Sequence, residues 1–553
     1  MIRFLTTLCI AIPLFSFAQQ KNISDQKELL RLFQQFRTQE IQDSVKASIL
    51  QEKGKAQILE IDGKGNIIGL VGFTPNGFPV FYSSNNTNAA ATVGTNLIVS
   101  GATNGYGLTG NGMIIGEWDG GSVLGTHQEL TGRVTQVDNP SSNSDHATHV
   151  CGTMIASGVV ANAKGMATAA TVRAHDFYSD ASEMTTFSTT GIISNHSYGT
   201  ITGWREMNSG TWRWYGDTTI SGTEDYQFGF YTFRAQSWDQ IANAAPDYLI
   251  VKSAGNDRND LPPSSVTSHE IFDNTNGWIT STVSRPQDGG VDGYDCISSN
   301  GNAKNILTVG AVNDIPSGYA QASDVVMSSF SGWGPTDDGR IKPDIVANGV
   351  SLYSTGADNN TDYYSSSGTS MSAPNATGSL ALLQEMYNDS NSTFMKASTL
   401  KALVIHTANE AGTNPGPDFS FGWGLLNAKG AADLIADTLT NRIIEASLSN
   451  NGTATYTYYS NGLQDIEATI VWNDPAGTPV APSLDPTTSM LVNDLDLRIT
   501  GPSGTIKMPW TLNSAMPSSA AVKADNTKDN VEKVIFDAPI AGAYTFSISH
   551  KGV

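Results

Sequence analysis

The chain has 553 residues, which exceeds one ordinary domain and predicts two or three folded units. Its formal net charge of −21 argues against a nucleic-acid-binding protein, because phosphate binding needs clustered Lys and Arg. The same acidity is compatible with solubility outside the cell and with bound calcium.

The first eighteen residues have the features of a secretory signal peptide. Arg3 gives a positive start, residues 4–17 are mostly apolar, and Ala18 is a small residue suited to cleavage before Gln19. The apolar stretch is short for a membrane span, and no later run approaches eighteen apolar residues. We therefore expect an exported protein, secreted or at the cell surface, with no membrane span.

A small α+β segment is expected over residues 19–88. Apolar residues recur at helical spacing from Ser24 to about Leu50, and strand-like runs follow at 57–61 and 78–82. Residues 85–91 are small and polar, which is typical of a linker.

Residues 93–437 alternate short apolar strands with helical segments. Glycines or turn residues bound the strand-like runs at 112–116, 248–251 and 306–309, and residues 146–157 and 372–387 suit helices. This alternation predicts an α/β domain, with a parallel sheet covered by helices on both faces. The Trp-rich, Gly-rich stretch at 200–236 breaks the rhythm and is interpreted as an insertion, whose tryptophans either pack or line a cleft.

The pattern changes after residue 441. Short strand-like runs at 446–458, 467–472, 496–499, 533–536 and 543–548 are separated by turn residues, which predicts a C-terminal antiparallel β-sandwich over 441–553. Asp494 and Asp496 lie in an acidic turn there and are candidate calcium ligands, although acidic turns are common without metal.

Four short segments carry residues suited to catalysis. Asp119 ends the strand-like run 114–119, and His146 and Ser370 each lie where a helix is expected to begin. Asn256 follows another strand. Because ligands of such folds bind at the carboxyl ends of the strands, all four segments are expected to converge on one crevice.

These residue types are the ones that peptide hydrolysis needs. A serine hydroxyl is a poor nucleophile until an imidazole accepts its proton, and a buried carboxylate holds that imidazole in the correct tautomer. Attack places negative charge on the former carbonyl oxygen, which needs donors already aimed at it. The side chain of Asn256 and the backbone N–H of Ser370 are the candidate donors.

Sequence motifs in these segments resemble those of the subtilisin family, in its order of acid, base and nucleophile. They are Asp119-Gly-Gly, His146-Ala-Thr-His149 and Gly368-Thr-Ser370-Met-Ser-Ala-Pro374. The resemblance covers about 93–437 and implies a serine endopeptidase that acts on proteins or peptides, with Asn256 in the oxyanion hole. It also makes Ser197, Tyr198, Gly199, Ala254 and Gly255 candidate substrate-binding residues.

The resemblance also bears on the flanking segments. Residues 19–88 suggest a propeptide, with a permanent N-terminal extension as the alternative, and self-processing is then expected between Tyr82 and Ala91. The C-terminal segment resembles, more weakly, the jelly-roll modules that follow some subtilases. Ala147 and Ser372 depart mildly from the family pattern, and neither change removes a reacting group.

Competing interpretations are weaker. His146 and His149 lack a further ligand at a zinc spacing. The GxGxxG match at 105–110 precedes a strand, where a dinucleotide-binding motif would follow one. A catalytically inert adhesin or glycan-binding protein on the same fold is the alternative function.

Cofactor, thiol and assembly expectations follow from the same residues. The chemistry requires no cofactor, and structural calcium is an open possibility. Cys151 and Cys296 are the cysteines that remain after removal of a signal peptide, and they either form one bridge or stay free thiols. We expect a monomer.

Overall fold

The structure is a computed structural model that describes residues 26–52, 59–61, 67–73, 79–84, 89–103, 105–437 and 442–552. The predicted signal peptide lies outside the described residues.

The N-terminal segment contains one helix and three strands in its described part. They are α1 (Gln26–Glu52), β1 (Leu59–Ile61), β2 (Ile67–Phe73) and β3 (Pro79–Ser84). Leu29, Leu32 and Phe36 are spaced three or four residues apart, so they lie on one face of α1. All three are buried in one hydrophobic cluster, which also contains Met184 and Trp238. The strands pair antiparallel, which gives the α+β segment expected.

Helices and strands alternate through the middle of the chain. The helices are α2 (Asp145–Ile155), α3 (Asp180–Phe187), α4 (Phe233–Ala244), α5 (Thr369–Asn391), α6 (Ala397–Thr407) and α7 (Ala428–Ala436). The strands are β4 (Ile114–Asp119), β5 (Val134–Gln136), β6 (Thr171–Asp176), β7 (Ile193–His196), β8 (Tyr198–Thr200), β9 (Trp204–Glu206), β10 (Trp212–Trp214), β11 (Leu249–Ser253), β12 (His269–Asp273), β13 (Gly277–Ser281), β14 (Leu307–Val312), β15 (Ile345–Asn348), β16 (Leu352–Thr355) and β17 (Tyr363–Ser366).

Seven of these strands form one sheet in the order β15-β14-β11-β7-β4-β6-β5. Every neighbouring pair is parallel. Successive side chains of a strand point to opposite faces: Leu249 and Val251 join the cluster formed with α2, α5, α6 and α7, whereas Ile250 joins the cluster formed with α1, α3 and α4. The predicted α/β fold with helices on both faces is confirmed.

The 200–236 stretch contributes to a second small sheet, in the order β13-β12-β10-β9. Trp204 and Trp214 are buried, and the Trp204 indole N–H donates to the carbonyl of Pro286 at 2.8 Å. These two tryptophans therefore pack, with partners in the 269–286 segment that follows the insertion.

The C-terminal region is built from antiparallel sheets. Its strands are β18 (Thr453–Ser460), β19 (Ile466–Val471), β20 (Leu495–Thr500), β21 (Ile506–Lys507), β22 (Trp510–Thr511), β23 (Val522–Lys523), β24 (Val531–Phe536) and β25 (Gly542–His550). A shared apolar cluster lies between the β19-β24 and β18-β25-β20-β21 sheets. The first strand begins later than the predicted 446, because a turn containing Asn451 at φ 57° precedes Thr453.

A buried ion pair joins the C-terminal region to the rest of the molecule. The ammonium of Lys304 contacts the Asp474 carboxylate, and both side chains are fully buried. The same ammonium donates to the carbonyls of Pro475 at 2.7 Å and Met490 at 2.6 Å. The boundaries 93–437 and 441–553 themselves stay predictions.

Candidate active site

Asp119 and His146 are in direct contact. Asp119 is the last residue of β4 and is fully buried, and its Oδ1 accepts a hydrogen bond from the N–H of Gly120 at 2.7 Å. The same oxygen lies 2.6 Å from Nδ1 of His146. A carboxylate on Nδ1 orients the imidazole and leaves Nε2 as the nitrogen available for proton transfer.

The first turn of α2 holds His146 in place. Ser144 caps this helix, and its hydroxyl accepts from the N–H of Ala147 at 3.2 Å. His146 is the second helical residue, and its side chain is 11% exposed, whereas the following residues are buried. The imidazole is thus anchored by a buried helix and is still partly exposed.

Ser370 is the second residue of α5 and is linked to Ser197 by two hydrogen bonds. The Ser370 hydroxyl donates to the Ser197 carbonyl at 2.8 Å, and the Ser197 hydroxyl donates to the Ser370 carbonyl at 2.7 Å. Pro374 explains why that carbonyl is available, because the proline four residues on has no N–H to donate to it. The helix start also places the Ser370 N–H at the positive end of the helix dipole.

Thr369 fixes the orientation of the Asn256 amide. Its backbone N–H and its hydroxyl both donate to Asn256 Oδ1, at 2.7 and 2.9 Å. Because the oxygen accepts from two donors, the amide nitrogen of Asn256 is the end that remains to donate elsewhere. Gly255 precedes it at φ 106°, a conformation that favours glycine, and its N–H donates to the Thr369 hydroxyl at 3.1 Å.

A cleft of about 430 Å³ lies beside Ser370 and Asn256. Four of the predicted substrate-binding residues line it, namely Tyr198, Gly199, Ala254 and Gly255. The fifth, Ser197, contacts Ser370 as described above. All the residues predicted for catalysis and binding therefore lie around the carboxyl ends of β4, β7 and β11 and the N-terminus of α5.

Comparison with known proteins identifies the family. The family model described as "Subtilase family" matches residues 114–424, which is more than half of the chain. The chain belongs to the subtilase family.

Curated relatives carry the same assignment. The serine protease/ABC transporter B family protein tagD of Dictyostelium discoideum is 26% identical over 471 residues, covering 66% of this chain and 25% of that protein. The C5a peptidase of Streptococcus pyogenes serotype M3 is 45% identical over 86 residues, covering 16% of this chain and 7% of that protein. The chain thus spans a quarter or less of these two relatives. The family match makes this subtilase a serine-type peptidase, as predicted, and these relatives are named as a serine protease and a peptidase.

A solved structure, that of the prenylagaramide maturation protease PagA, aligns with a TM-score of 0.39 and 17% identity, covering 58% of this subtilase and 93% of that chain. None of the helices in the described ranges is long and apolar enough to cross a membrane.

The cleft also contains charged side chains that were not predicted from the sequence. Lys252, Arg205 and Asp257 line the same cleft as Ser370, and all three are buried. Arg205 comes from β9 in the insertion and pairs with Asp257 at 3.1 Å. Burial lowers the pKa of Lys252 to about 7, while Asp257 and Asp119 act in the opposite direction.

Two buried groups near the catalytic residues are held uncharged. Burial, and then the charge of Asp119, raise the pKa of Glu117 well above its ordinary 4.5. Burial lowers the pKa of His149 to about 3, and its Nε2 lies 3.3 Å from the Tyr364 carbonyl. His149 is therefore a neutral, packed helix residue, as expected.

The predicted calcium ligands fit a calcium ion poorly. The ammonium of Lys551 lies 3.0 Å from carboxylate oxygens of both Asp494 and Asp496, and Arg498 lies 2.7 Å from Asp496. Two cationic side chains therefore already neutralise this pair. This contact was not predictable from the sequence, because Lys551 is more than fifty residues away along the chain.

Cys151 and Cys296 are free thiols, and both are buried. The backbone N–H of Trp333 donates to the Cys296 sulfur at 3.2 Å. Of the two alternatives left open by the sequence, the structure has the unbridged one.

Proposed function

We propose that this subtilase is an exported endopeptidase that cleaves proteins through an acyl-enzyme, with Asp119, His146 and Ser370 as its catalytic triad. The observation that carries the proposal is the 2.6 Å contact between Asp119 and His146, at the edge of the sheet where α5 begins with Thr369 and Ser370. The family assignment supplies the reaction class, and this geometry supports the proposed roles.

In the proposed mechanism, Nε2 of His146 accepts the Ser370 proton as Oγ attacks the scissile carbonyl. Asp119 stabilises the imidazolium that forms. The negative charge that develops on the carbonyl oxygen is stabilised by the Asn256 amide nitrogen and the Ser370 N–H. His146 then protonates the leaving amine, and water hydrolyses the acyl-enzyme by the same steps.

Ser370→Ala tests the assignment, and Ser372→Ala is its matched control. Ser372 lies two residues after Ser370 in α5. It is fully buried, and its hydroxyl donates to the Thr369 carbonyl at 2.8 Å. We expect Ser370→Ala to lower the turnover of a protein substrate about a millionfold, the magnitude known for subtilisin, which belongs to the same family. A fluorophosphonate probe is expected to label wild type and Ser372→Ala at Ser370. Absence of labelling in mature wild type would favour the inert binding protein instead.

We also propose that residues 19–88 are a propeptide removed by the enzyme itself. Strand β3 pairs antiparallel with β8, which lines the cleft, with Ser84 opposite Tyr198 and Ser83 opposite Gly199. With this register, β3 leads towards Ser197 and hence towards Ser370. We expect a bound substrate strand to follow the same direction. In addition, the Glu40 carboxylate of α1 accepts from the hydroxyl and N–H of Ser182 in α3, at 2.7 and 3.1 Å.

N-terminal sequencing of secreted protein tests self-processing. Wild type is expected to begin between Tyr82 and Ala91, and Ser370→Ala to keep the upstream segment. Equal trimming of both proteins, or an untrimmed wild type, would contradict self-processing without bearing on the activity of Ser370.

Export, a monomeric state and structural calcium are further proposals. Export is tested by locating the mature protein in the culture medium and the cell fractions, and the monomer by light scattering. Calcium is tested by metal analysis of protein purified without chelator. Among the described residues, Glu224, Asp295 and Asp485 offer another group of close carboxylates.

A further inference from the structure

Lys252 places an ammonium group in the cleft next to the catalytic serine. It is the fourth residue of β11 and is only 2% exposed, yet its side chain lines the cleft. Its Nζ donates to the carbonyl and the hydroxyl of Ser253, at 2.7 and 2.8 Å. A Cβ placed on Gly199 would lie 3.6 Å from this nitrogen, so the ammonium lies against the Gly199 wall of the cleft.

The carboxylates near this ammonium, Asp257 and Asp119, favour its charged form without being in ion-pair contact with it. Within the described ranges, no carboxylate is in ion-pair contact with Lys252, and the nearby Asp257 carboxylate already pairs with Arg205 at 3.1 Å. An ammonium has three N–H donors, and Ser253 takes two of them. The side chains of Lys252, Arg205 and Asp257 together leave the pocket with a net positive charge when Lys252 is protonated.

We infer that this pocket binds an acidic side chain, so that the enzyme cleaves after Glu or Asp, with Lys252 as the residue that determines specificity. The inference rests on the proposed function. A buried charge without a carboxylate in direct contact is costly, and a substrate carboxylate supplies both a contacting counter-ion and an acceptor for the third donor. An apolar side chain supplies neither, and a basic one adds a like charge.

The segment expected to be self-processed contains no acid. Residues 82–91 include three asparagines, at 85, 86 and 88. An asparagine presents a carbonyl oxygen to the same ammonium, although without the charge. Cleavage within one chain also benefits from a high effective concentration, so this single event does not need the preferred residue.

The test uses peptides that differ only in the residue before the scissile bond, which is Glu, Gln, Asp, Asn, Leu or Lys. Glu and Gln have nearly the same shape, so their ratio of kcat/KM isolates the charge. A hydrogen bond to a charged group is worth about tenfold to a hundredfold, and we expect wild type to prefer Glu over Gln by that factor. Lys252→Met is expected to bring the ratio close to one.

Lys164→Met is the matched control, since it removes the same charge from an exposed position outside the cleft. It is expected to keep the wild-type Glu to Gln ratio. Thermal unfolding of Lys252→Met checks that the variant folds, and Lys252→Arg gives a second variant that keeps the charge and is expected to keep a preference for Glu.

Two outcomes would overturn the inference while leaving the peptidase intact. One is efficient cleavage after Leu with equal rates for Glu and Gln. The other is a preference for Lys, which would assign specificity to Asp257. Failure of wild type to cleave any peptide, together with no probe labelling at Ser370, would instead overturn the proposed function.

Discussion

Asn256 has two roles in the structure, and one pair of substitutions separates them. Its Oδ1 accepts from the N–H and the hydroxyl of Thr369 at the start of α5, and its amide nitrogen is the proposed oxyanion donor. Asn256→Ala removes both functions. Asn256→Asp keeps the acceptor for Thr369 but replaces the donor with a carboxylate oxygen.

Both substitutions are expected to lower kcat, but only Asn256→Ala is expected to lower the free energy of unfolding. Loss of the donor costs about a hundred- to a thousandfold in kcat, a magnitude taken from subtilisin in the same family. Asn256→Asp should lose at least this much, because negative charge develops next to a carboxylate. KM should change little, since the donor acts in the transition state. An anion at a helix N-terminus is favourable, so Asn256→Asp should retain the free energy of unfolding, whereas Asn256→Ala should lose about 1 kcal/mol.

The assay is steady-state hydrolysis of one peptide, with urea unfolding of the same preparations. Asn256→Asp within tenfold of wild type in kcat would refute the oxyanion role. If instead kcat fell only in the variant that also lost unfolding free energy, Asn256 would have a purely structural role.

Three further substitutions test the surroundings of the site. Thr369→Val removes the hydroxyl contact to Asn256 and should lower kcat about tenfold, as one lost hydrogen bond predicts, with the pH profile unchanged. Lys304→Met leaves a buried Asp474 charge and should cost about 3–5 kcal/mol in urea unfolding, part of which Asp474→Leu should restore in the double variant. Glu117→Gln should gain stability over wild type as pH rises above 4.5, because a raised folded-state pKa means that wild type loses stability over that range. If the difference in the free energy of unfolding between Glu117→Gln and wild type did not change with pH, a neutral Glu117 would be contradicted.

Short, contiguous motifs made the fold and the candidate site predictable. Asp119, His146 and Ser370 each stand at the junction of a strand or helix with a loop, and local sequence determines such junctions through caps and helix-compatible runs. Once the strands are parallel, their carboxyl ends share an edge, and the residues beyond them meet there. The pairing of Ser197 with Ser370 depends on this convergence and was not predicted, because the resemblance made Ser197 only a substrate-binding candidate.

Charge pairing across the fold was not predictable. Lys252 stands inside a strand, and the sequence gives no indication of whether its ammonium reaches solvent, a carboxylate or the cleft. Arg205 and Asp257 are 52 residues apart in sequence and meet only because the insertion folds back on the cleft. Lys551 meets Asp494 and Asp496 in the same way, through the pairing of β20 with β25.

The charge state of Lys252 is set by the groups around it. Three titratable or charged side chains line the cleft together with Lys252, namely Arg205, Asp257 and Tyr198. Asp119 and His196 interact electrostatically with Lys252 as well. Burial is the largest influence and lowers the pKa of Lys252 to about 7, while Asp257 and Asp119 favour its charged form. His196 adds no charge, because burial lowers the pKa of its imidazole well below 6.5.

The preference for an acidic residue should therefore fade as pH rises in the free enzyme. Below pH 7 the ammonium is charged and attracts the substrate carboxylate, which is ionised throughout this range. Above pH 7 the free amine carries no charge, so the ratio of kcat/KM for Glu over Gln should fall towards one between about pH 6 and 9. Any pH effect on the catalytic step itself is common to both substrates and cancels in the ratio. If the Glu to Gln ratio of kcat/KM stayed constant or rose with pH, Lys252 would not be the group that recognises the substrate carboxylate.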